Sequence, residues 1–445
     1  MLSLRIEDNT LPAHRPTRRA LAIVPALLAA ACLILGPAAV AADDRRVAVS
    51  GTPLDVRFYG RGWGHGVGMS QHGARGRALA GQKTAQILAH YYVGTTLGTK
   101  DPKAQIRVLV LTGFAATSTK PAVIYGRGGN WTIDGIAATF PADAKLTLVP
   151  TAAGATTYTL TVTSAGGTRL HTSKRAGSLA MRPSTSSVLL QLDSKPSTYD
   201  RYRGVLRIHM TKTVKVINEL GLDSYLRGVV PAEMPASWPI EALKAQVIAA
   251  RSYAAVRLRP GTGAFDVYDD TRSQVYRGAK GEAAAANTAI TATSGVVMKS
   301  GSSIANALFH STGGGATEHN ENVFVSSTGG LVAGPVSYLR GSSDRAPDGT
   351  SYDAGAPLAT WKTGSYTWAQ LSAIFAADAR TNVGSLSRID LSKRGVSGRL
   401  IKVTLVGSLG TKTVSGNVFR SAFNAKNPIG AADLRSTLFY TSPIP

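Results

Sequence analysis

The sequence has almost no cysteine. Cys32 is the single one among 445 residues, which excludes an intramolecular disulfide framework and a cysteine-rich zinc module. Charge is sparse too: 17% of residues are charged and 7% are aromatic. No Lys/Arg cluster and no interleaving of aromatic with basic residues marks a nucleic-acid-binding face. Acidic residues are the scarcer sign, 26 against 49 Lys and Arg, for a formal charge of +23, and that excess favours anionic partners. With 44% hydrophobic residues and 47 glycines, the composition is that of a turn-rich globular chain rather than a disordered or coiled-coil one. The length fits two or three structural units of roughly 150 residues each.

The N-terminus predicts export. Arg15, Arg18 and Arg19 precede a charge-free run over 20–42, whose apolar heart from Leu21 to Leu35 gives way to Gly36-Pro37 and Ala39-Val40-Ala41. A basic region, an apolar region and a small-x-small site in that order read as a secretory signal peptide, 1–41. The alternative is an uncleaved anchor, because about 20 uncharged residues span a bilayer. Cys32 has apolar sequence on both sides, a poor fit to a lipidation site, and Thr17-Arg18-Arg19 is a weak twin-arginine signal. The expected location is secreted or at the cell wall, with membrane contact only through an uncleaved signal segment. Losing 1–41 removes four arginines and two acids and leaves +21. That charge suits the carboxylates and phosphates of a cell wall, or a generally basic soluble surface.

Three further segments follow from the patterning. Residues 54–99 open with an alternating strand, Leu54 to Tyr59, then place Gly60, Gly62, Gly64, Gly66 and Gly68 at every second position. The expectation is an extended stretch with one bare face that backbone or ligand approaches closely. No G-x-G-x-x-G register fits it, so a dinucleotide site is excluded. From Ser70 to Leu97 the spacing turns helical. Residues 103–204 alternate β-branched and polar residues between turns, a β-rich module with predicted strands Ile106–Leu111, Ala122–Tyr125, Leu146–Pro150, Tyr158–Val162 and Val188–Leu192. In 205–442, after a strand Val205–Ile208, Asp223 is expected to cap a short helix, Ser224–Val230, that Pro231 terminates. A second helix, Ile240–Val256, begins at Trp238-Pro239. Between them Pro231-Ala232-Glu233-Met234-Pro235 forms a stiff connector with one ionisable group, Glu233, beside Met234 and Trp238. Further elements are a helix over 286–294, a hairpin of 295–300 with 304–310, a loop over 331–357, a helix over 366–380 and closing strands near 400–406, 412–415 and 436–441. The predicted class is α+β: a β-rich mixed fold with a helical catalytic segment and an additional β-rich module.

Val229-Val230-Pro231-Ala232-Glu233-Met234-Pro235, Trp238-Pro239-Ile240-Glu241-Ala242-Leu243-Lys244-Ala245-Gln246 and Ala249-Ala250-Arg251-Ser252-Tyr253 closely resemble the stage II sporulation protein D and amidase enhancer (SpoIID/LytB) family. The likeness continues through Asp266-Val267-Tyr268-Asp269, Gln274-Val275-Tyr276, Ser311-Thr312-Gly313-Gly314, Val414 to Arg420, Leu434-Arg435-Ser436-Thr437 and the Gly60–Ala74 segment. One feature departs in order. The Gly-His-Gly segment, which follows the C-terminal strand in the family pattern, here precedes the rest. The arrangement resembles a circular permutation, and it predicts that the strand at Leu54–Tyr59 lies beside the one at Ser436–Thr441.

The resemblance implies lytic transglycosylase activity on peptidoglycan glycan strands, with Glu233 as catalytic acid. Ordinary glycosidases need two carboxylates. A transglycosylase manages with one, because the sugar's C6 hydroxyl is the nucleophile. Both duties of Glu233, protonating the leaving oxygen and then accepting the hydroxyl proton, favour a pKa raised towards about 6 to 7. Substrate-binding candidates are His65, Ser70, Gln71, Arg251, Gln274, Tyr276 and Ser311. Gln274 and Tyr276 either bind sugar or satisfy a core. Arg251 either contacts substrate or forms a buried ion pair with Asp223 or Asp269. His65, Ser70 and Gln71 suit a groove wall. Relatives with a Cys and a His in the Ser-Thr-Gly-Gly loop hold zinc, but here His310 and Ala316 stand near those positions, and His310 with His319 is not a zinc signature. No metal and no cofactor are expected. No G-x-S-x-G elbow surrounds Ser70 or Ser311, which excludes a serine hydrolase. Expected partners are peptidoglycan glycan strands and a cell-wall amidase, not nucleic acid. The other functional class is a non-catalytic wall-binding enhancer of that amidase.

Overall fold

The computed structural model describes residues 46–48, 55–428 and 431–443. The segment 1–41 and Cys32 lie outside them. The fold is α+β. The alternating runs form strands as the period-two pattern requires: Ala122–Arg127 and Val205–Met210 each bury every second residue. Six strands make one sheet, ordered Arg169–Ala176, Thr157–Thr163, Lys145–Pro150, Ala122–Arg127, Leu189–Leu192 and Arg201–Tyr202. Seven make another: Val267–Tyr268, Gln105–Phe114, Val214–Gly221, Val205–Met210, Ser178–Pro183, Trp131–Ile133 and Thr139–Phe140. Strands from both sides of residue 204 therefore share this sheet, and one apolar core runs from Ile106 to Ile290.

Five helices position the site: α1 (Gln71–Leu79), α2 (Thr84–Tyr91), α3 (Leu222–Glu233), α4 (Ile240–Ala255) and α5 (Ala284–Ala292). Pro239 sits at the start of α4, where its missing N–H costs nothing, and its carbonyl accepts from Ala242 and Leu243. Small alanines let α4 be buried on every side. Leu243, Val247 and Ala250 enter the sheet core, whereas Ala245, Ile248 and Ala249 enter a second core with Val67, Met69, Ile87, Leu88 and Tyr91. Ile240 stays exposed.

Several expectations are corrected. The first strand of the 54–99 segment stops at Arg61, and Gly62, Gly64, Gly66 and Gly68 all have positive φ. Alternating glycines here mark left-handed residues rather than an extended stretch. The close approach is present nonetheless: a Cβ on Gly62 would meet the Thr312 carbonyl at 2.5 Å. The hairpin over 295–310 is reduced to Val296–Ser300 with Ser303–Ile304, and Phe309–His310 instead pairs in parallel with Met69–Ser70.

The two ends of the described chain meet. Val56–Arg61 pairs antiparallel with Phe439–Tyr440, Tyr59 opposite Tyr440, as the departure in segment order predicts. Buried Phe58 packs its ring 5.2 Å from that of Phe439 and 5.6 Å from that of Phe423. The register carries the chain beyond Tyr440 towards the start of the partner strand. Moving residues 46–100 behind Pro443 through a short Gly/Ser linker is therefore expected to leave the circular dichroism spectrum and a single cooperative urea transition intact. A permuted chain that does not fold overturns this account of the ends.

Candidate active site at a proline-terminated helix

Met234 precedes Pro235, and a residue before proline is pushed out of the helical region. Met234 accordingly adopts φ −135 and ψ 130, and α3 ends at Glu233. The expected stop at Pro231 does not occur. Pro231 lies inside the last turn, where it removes only one ladder donor, the one that would reach the Arg227 carbonyl. Asp223 is not the cap either: Gly221 holds that position, and Asp223 binds Arg251 Nε at 2.7 Å and Ser294 Oγ at 2.8 Å.

Glu233 is half-buried at the C-terminal end of α3. Its Oε1 accepts from the Val275 N–H at 2.9 Å. Burial pushes its pKa up to about 7, against the opposing pull of the Val275 N–H and the Arg277 charge. Partial negative charge at a helix C-terminus also disfavours a carboxylate there. Among the described residues, the groups acting on this carboxyl include no second carboxylate. Asp223, Asp266 and Asp269 are held by Arg251, Arg107 and Lys195.

The glycine-rich segment reaches this helix end through α1. Gln71 Nε2 donates to the Glu233 backbone carbonyl at 3.1 Å and to Gln246 Oε1 at 3.4 Å. His72 packs its ring 4.6 Å from that of Trp238, and its N–H donates to the Ser311 carbonyl at 3.0 Å. Glu241, at the first turn of α4, accepts from the Thr84 N–H at 2.8 Å, an anion at the N-terminus of α2, and this holds its pKa at about 2.

The remaining expected residues fall into two groups. Gln274 and Tyr276 flank Val275 but point inward. Gln274 accepts from Tyr225 Oη at 3.3 Å, and Tyr276 Oη donates to Asn218 at 2.8 Å. Arg251 is fully buried on Asp223 and the Val296 carbonyl. Gln274 and Tyr276 pack beside the Val275 N–H that binds Glu233, whereas Arg251 is tied to the start of α3. Ser70 caps α1, its Oγ accepting from Gly73 and Gly313 N–H groups at 3.1 Å each. His65 accepts from the Val67 N–H through Nδ1 and lies 5.3 Å from the His310 ring. Burial and nearby Arg399 hold His65 at about 4. Ser311 presents a hydroxyl to Thr312 at 3.3 Å. His319 accepts from the Gly341 N–H, and among the described residues no three His, Cys, Asp or Glu come together as a metal site.

Val275 was not legible as a partner, because the contact uses its backbone. Nor was the Asp344 cluster: this buried carboxylate accepts from Tyr91 Oη at 2.7 Å and Arg77 Nε at 2.9 Å, fastening α1 and α2 from across the chain.

An enclosed carboxyl thus stands at a helix end that Gln71 of α1 contacts through the backbone carbonyl. Residues 210–299, which contain it, match the family model described as Stage II sporulation protein. The chain is 36% identical over 148 residues to the amidase enhancer of Bacillus subtilis, covering 32% of this chain and 20% of that one. It is 35% identical over 125 residues to an uncharacterized protein of Brachyspira hyodysenteriae, covering 28% of this chain and 34% of that one. The alignments thus span about a third of one relative's length and a fifth of the other's.

The raised Glu233 pKa sets a stability window. The native group protonates near 7 against 4.5 without the fold, so its favourable contribution is complete below 4.5 and is lost as pH rises towards 7. Gln cannot ionise. Glu233→Gln is expected to gain thermal stability over wild type at pH 8, with the gap closing by pH 4.5, as read by melting curves across that range.

Proposed function

We propose that this chain acts at the bacterial cell wall, exported by its N-terminal segment, as a lytic transglycosylase that cleaves peptidoglycan glycan strands. The family match and the amidase enhancer relative support the cell-wall role. The observation that carries the reaction is the Glu233 carboxyl: enclosed, raised to about 7, and without a second carboxylate among the groups acting on it.

In this reading protonated Glu233 donates its proton to the glycosidic oxygen as the bond from muramic C1 breaks. The same sugar's C6 hydroxyl then attacks C1. Its proton passes to the Glu233 carboxylate, which restores the acid. One strand becomes two, one ending in a 1,6-anhydro ring and the other in a free 4-hydroxyl, and no water is consumed. A pKa near neutrality serves both transfers. The Val275 N–H fixes the rotamer, and Gln71 pins the helix end from the other wall.

A second reading follows from the name of the Bacillus subtilis relative, an amidase enhancer: binding to the wall without turnover, to stimulate an N-acetylmuramoyl-L-alanine amidase. The two separate on Glu233→Gln. The enzyme is expected to lose about 10²- to 10⁴-fold in turnover while still binding, whereas an enhancer keeps its effect.

The deciding experiment is mass spectrometry of fragments released by the mature chain from intact and peptide-stripped peptidoglycan, beside Glu233→Gln. Anhydromuramic ends from wild type alone are expected. Reducing ends would mean hydrolysis, and binding without release by either protein would favour the enhancer. Because the first step needs the protonated acid, kcat/KM is expected to fall about tenfold per pH unit above about 7.

A further inference from the structure

Gln71 and Arg75 are four residues apart on α1, so they share one face. Gln71 docks on the carbonyl of Glu233, and Arg75 stands over the Trp238 ring, its Cζ 5.7 Å from the ring centre. His72 meets the same indole. All three side chains, Arg75, His72 and Trp238, are half-buried. Among the described residues none of them makes a side-chain hydrogen bond or an ion pair. Two residues on, Arg77 is bound to buried Asp344. Asp353, whose charge acts on His72, is occupied by the Gly314 N–H and the Ser351 hydroxyl.

Unspent donors beside an aromatic surface, next to the end of α3, have a clear chemical complement. A guanidinium offers a planar fork that matches a carboxylate. The indole offers an apolar face to a sugar ring, and the imidazole offers a further hydrogen bond. We propose that Arg75, with His72 and Trp238, forms a subsite for a carboxylate-bearing sugar beside Glu233. It rests on the glycan reading of that site and adds the sign of the substrate. The carboxylate has two sources in such a strand: the lactyl group of a bare muramic acid, or the acids of an attached peptide.

Calorimetry on the mature Glu233→Gln chain tests this without turnover. The ligands are a bare GlcNAc–MurNAc tetrasaccharide, the same tetrasaccharide carrying stem peptides, and neutral chitotetraose. One acidic ligand is expected to bind roughly tenfold or more tighter than chitotetraose, and which one does so identifies the source. Adding Arg75→Gln is expected to abolish that preference and leave chitotetraose binding within about twofold, and Arg75→Lys to restore part of it. Equal binding of all three ligands, no binding of any, or a preference that survives Arg75→Gln overturns the proposal. So does a preference lost in Arg277→Gln instead. If no strand cleavage is found while the Arg75-dependent preference holds, the transglycosylase reading fails and the subsite stands.

Discussion

The site depends on where α3 stops. Pro235 denies Met234 a helical conformation, and this leaves Glu233 as the last helical residue, with its carboxyl beside Val275. One turn earlier, the carboxyl would share the buried face of Tyr225, Leu226, Val229 and Val230. One residue later, it would sit on Met234, which is fully buried in the sheet core. The carboxyl is thereby enclosed enough to resist ionisation, yet it belongs to a residue that keeps part of its surface.

A helix end does not make a cleft, and the opposite wall is supplied by distant sequence. Three polar attachments hold residues 71–91 against the α3–α4 unit and the loop beyond it: Gln71 to the Glu233 carbonyl, Thr84 to Glu241, and Arg77 with Tyr91 to Asp344. Gln71, Arg77 and Asp344 are buried in these contacts, so removing a partner there leaves a desolvated polar group short of a hydrogen bond. Between these attachments, Ile87, Leu88 and Tyr91 share a core with Ala245 and Ile248 of α4. The polar contacts fix register and the apolar contacts hold the face.

What could be read from the sequence was whatever depends on local periodicity. The strands Ala122–Arg127 and Val205–Met210 follow from alternation, and α4 follows from a proline start and an alanine-rich run. The raised pKa of Glu233 was legible through its connector. The end of α3 was not, because Pro231 and Pro235 give competing stops and only packing chooses between them. The handedness of Gly62 to Gly68 was hidden, since alternating glycines read equally as strand. The inward roles of Gln274 and Tyr276 are set by Tyr225 and Asn218, 49 and 58 residues away. No window of local sequence reports such a pairing.

The composite nature of the site bears on chain order. Residues 210–299 carry Glu233, Trp238, Val275 and Arg277, but Gln71, His72 and Arg75 come from outside that matched span. A wall contributed by a separate segment needs only to arrive in place, from either end of the chain. Pairing of Val56–Arg61 with Phe439–Tyr440 brings those ends together, and the parallel pairing of Met69–Ser70 with Phe309–His310 then aims α1 at α3. Position in space is therefore set by two short strand contacts and the glycine run between them, whose left-handed residues let Gly62 and Gly68 lie against the Thr312 and Leu308 carbonyls. Side chains at these glycines would force the backbones apart and withdraw Gln71 from Glu233, which ties the glycine spacing to the candidate site as well as to the turn.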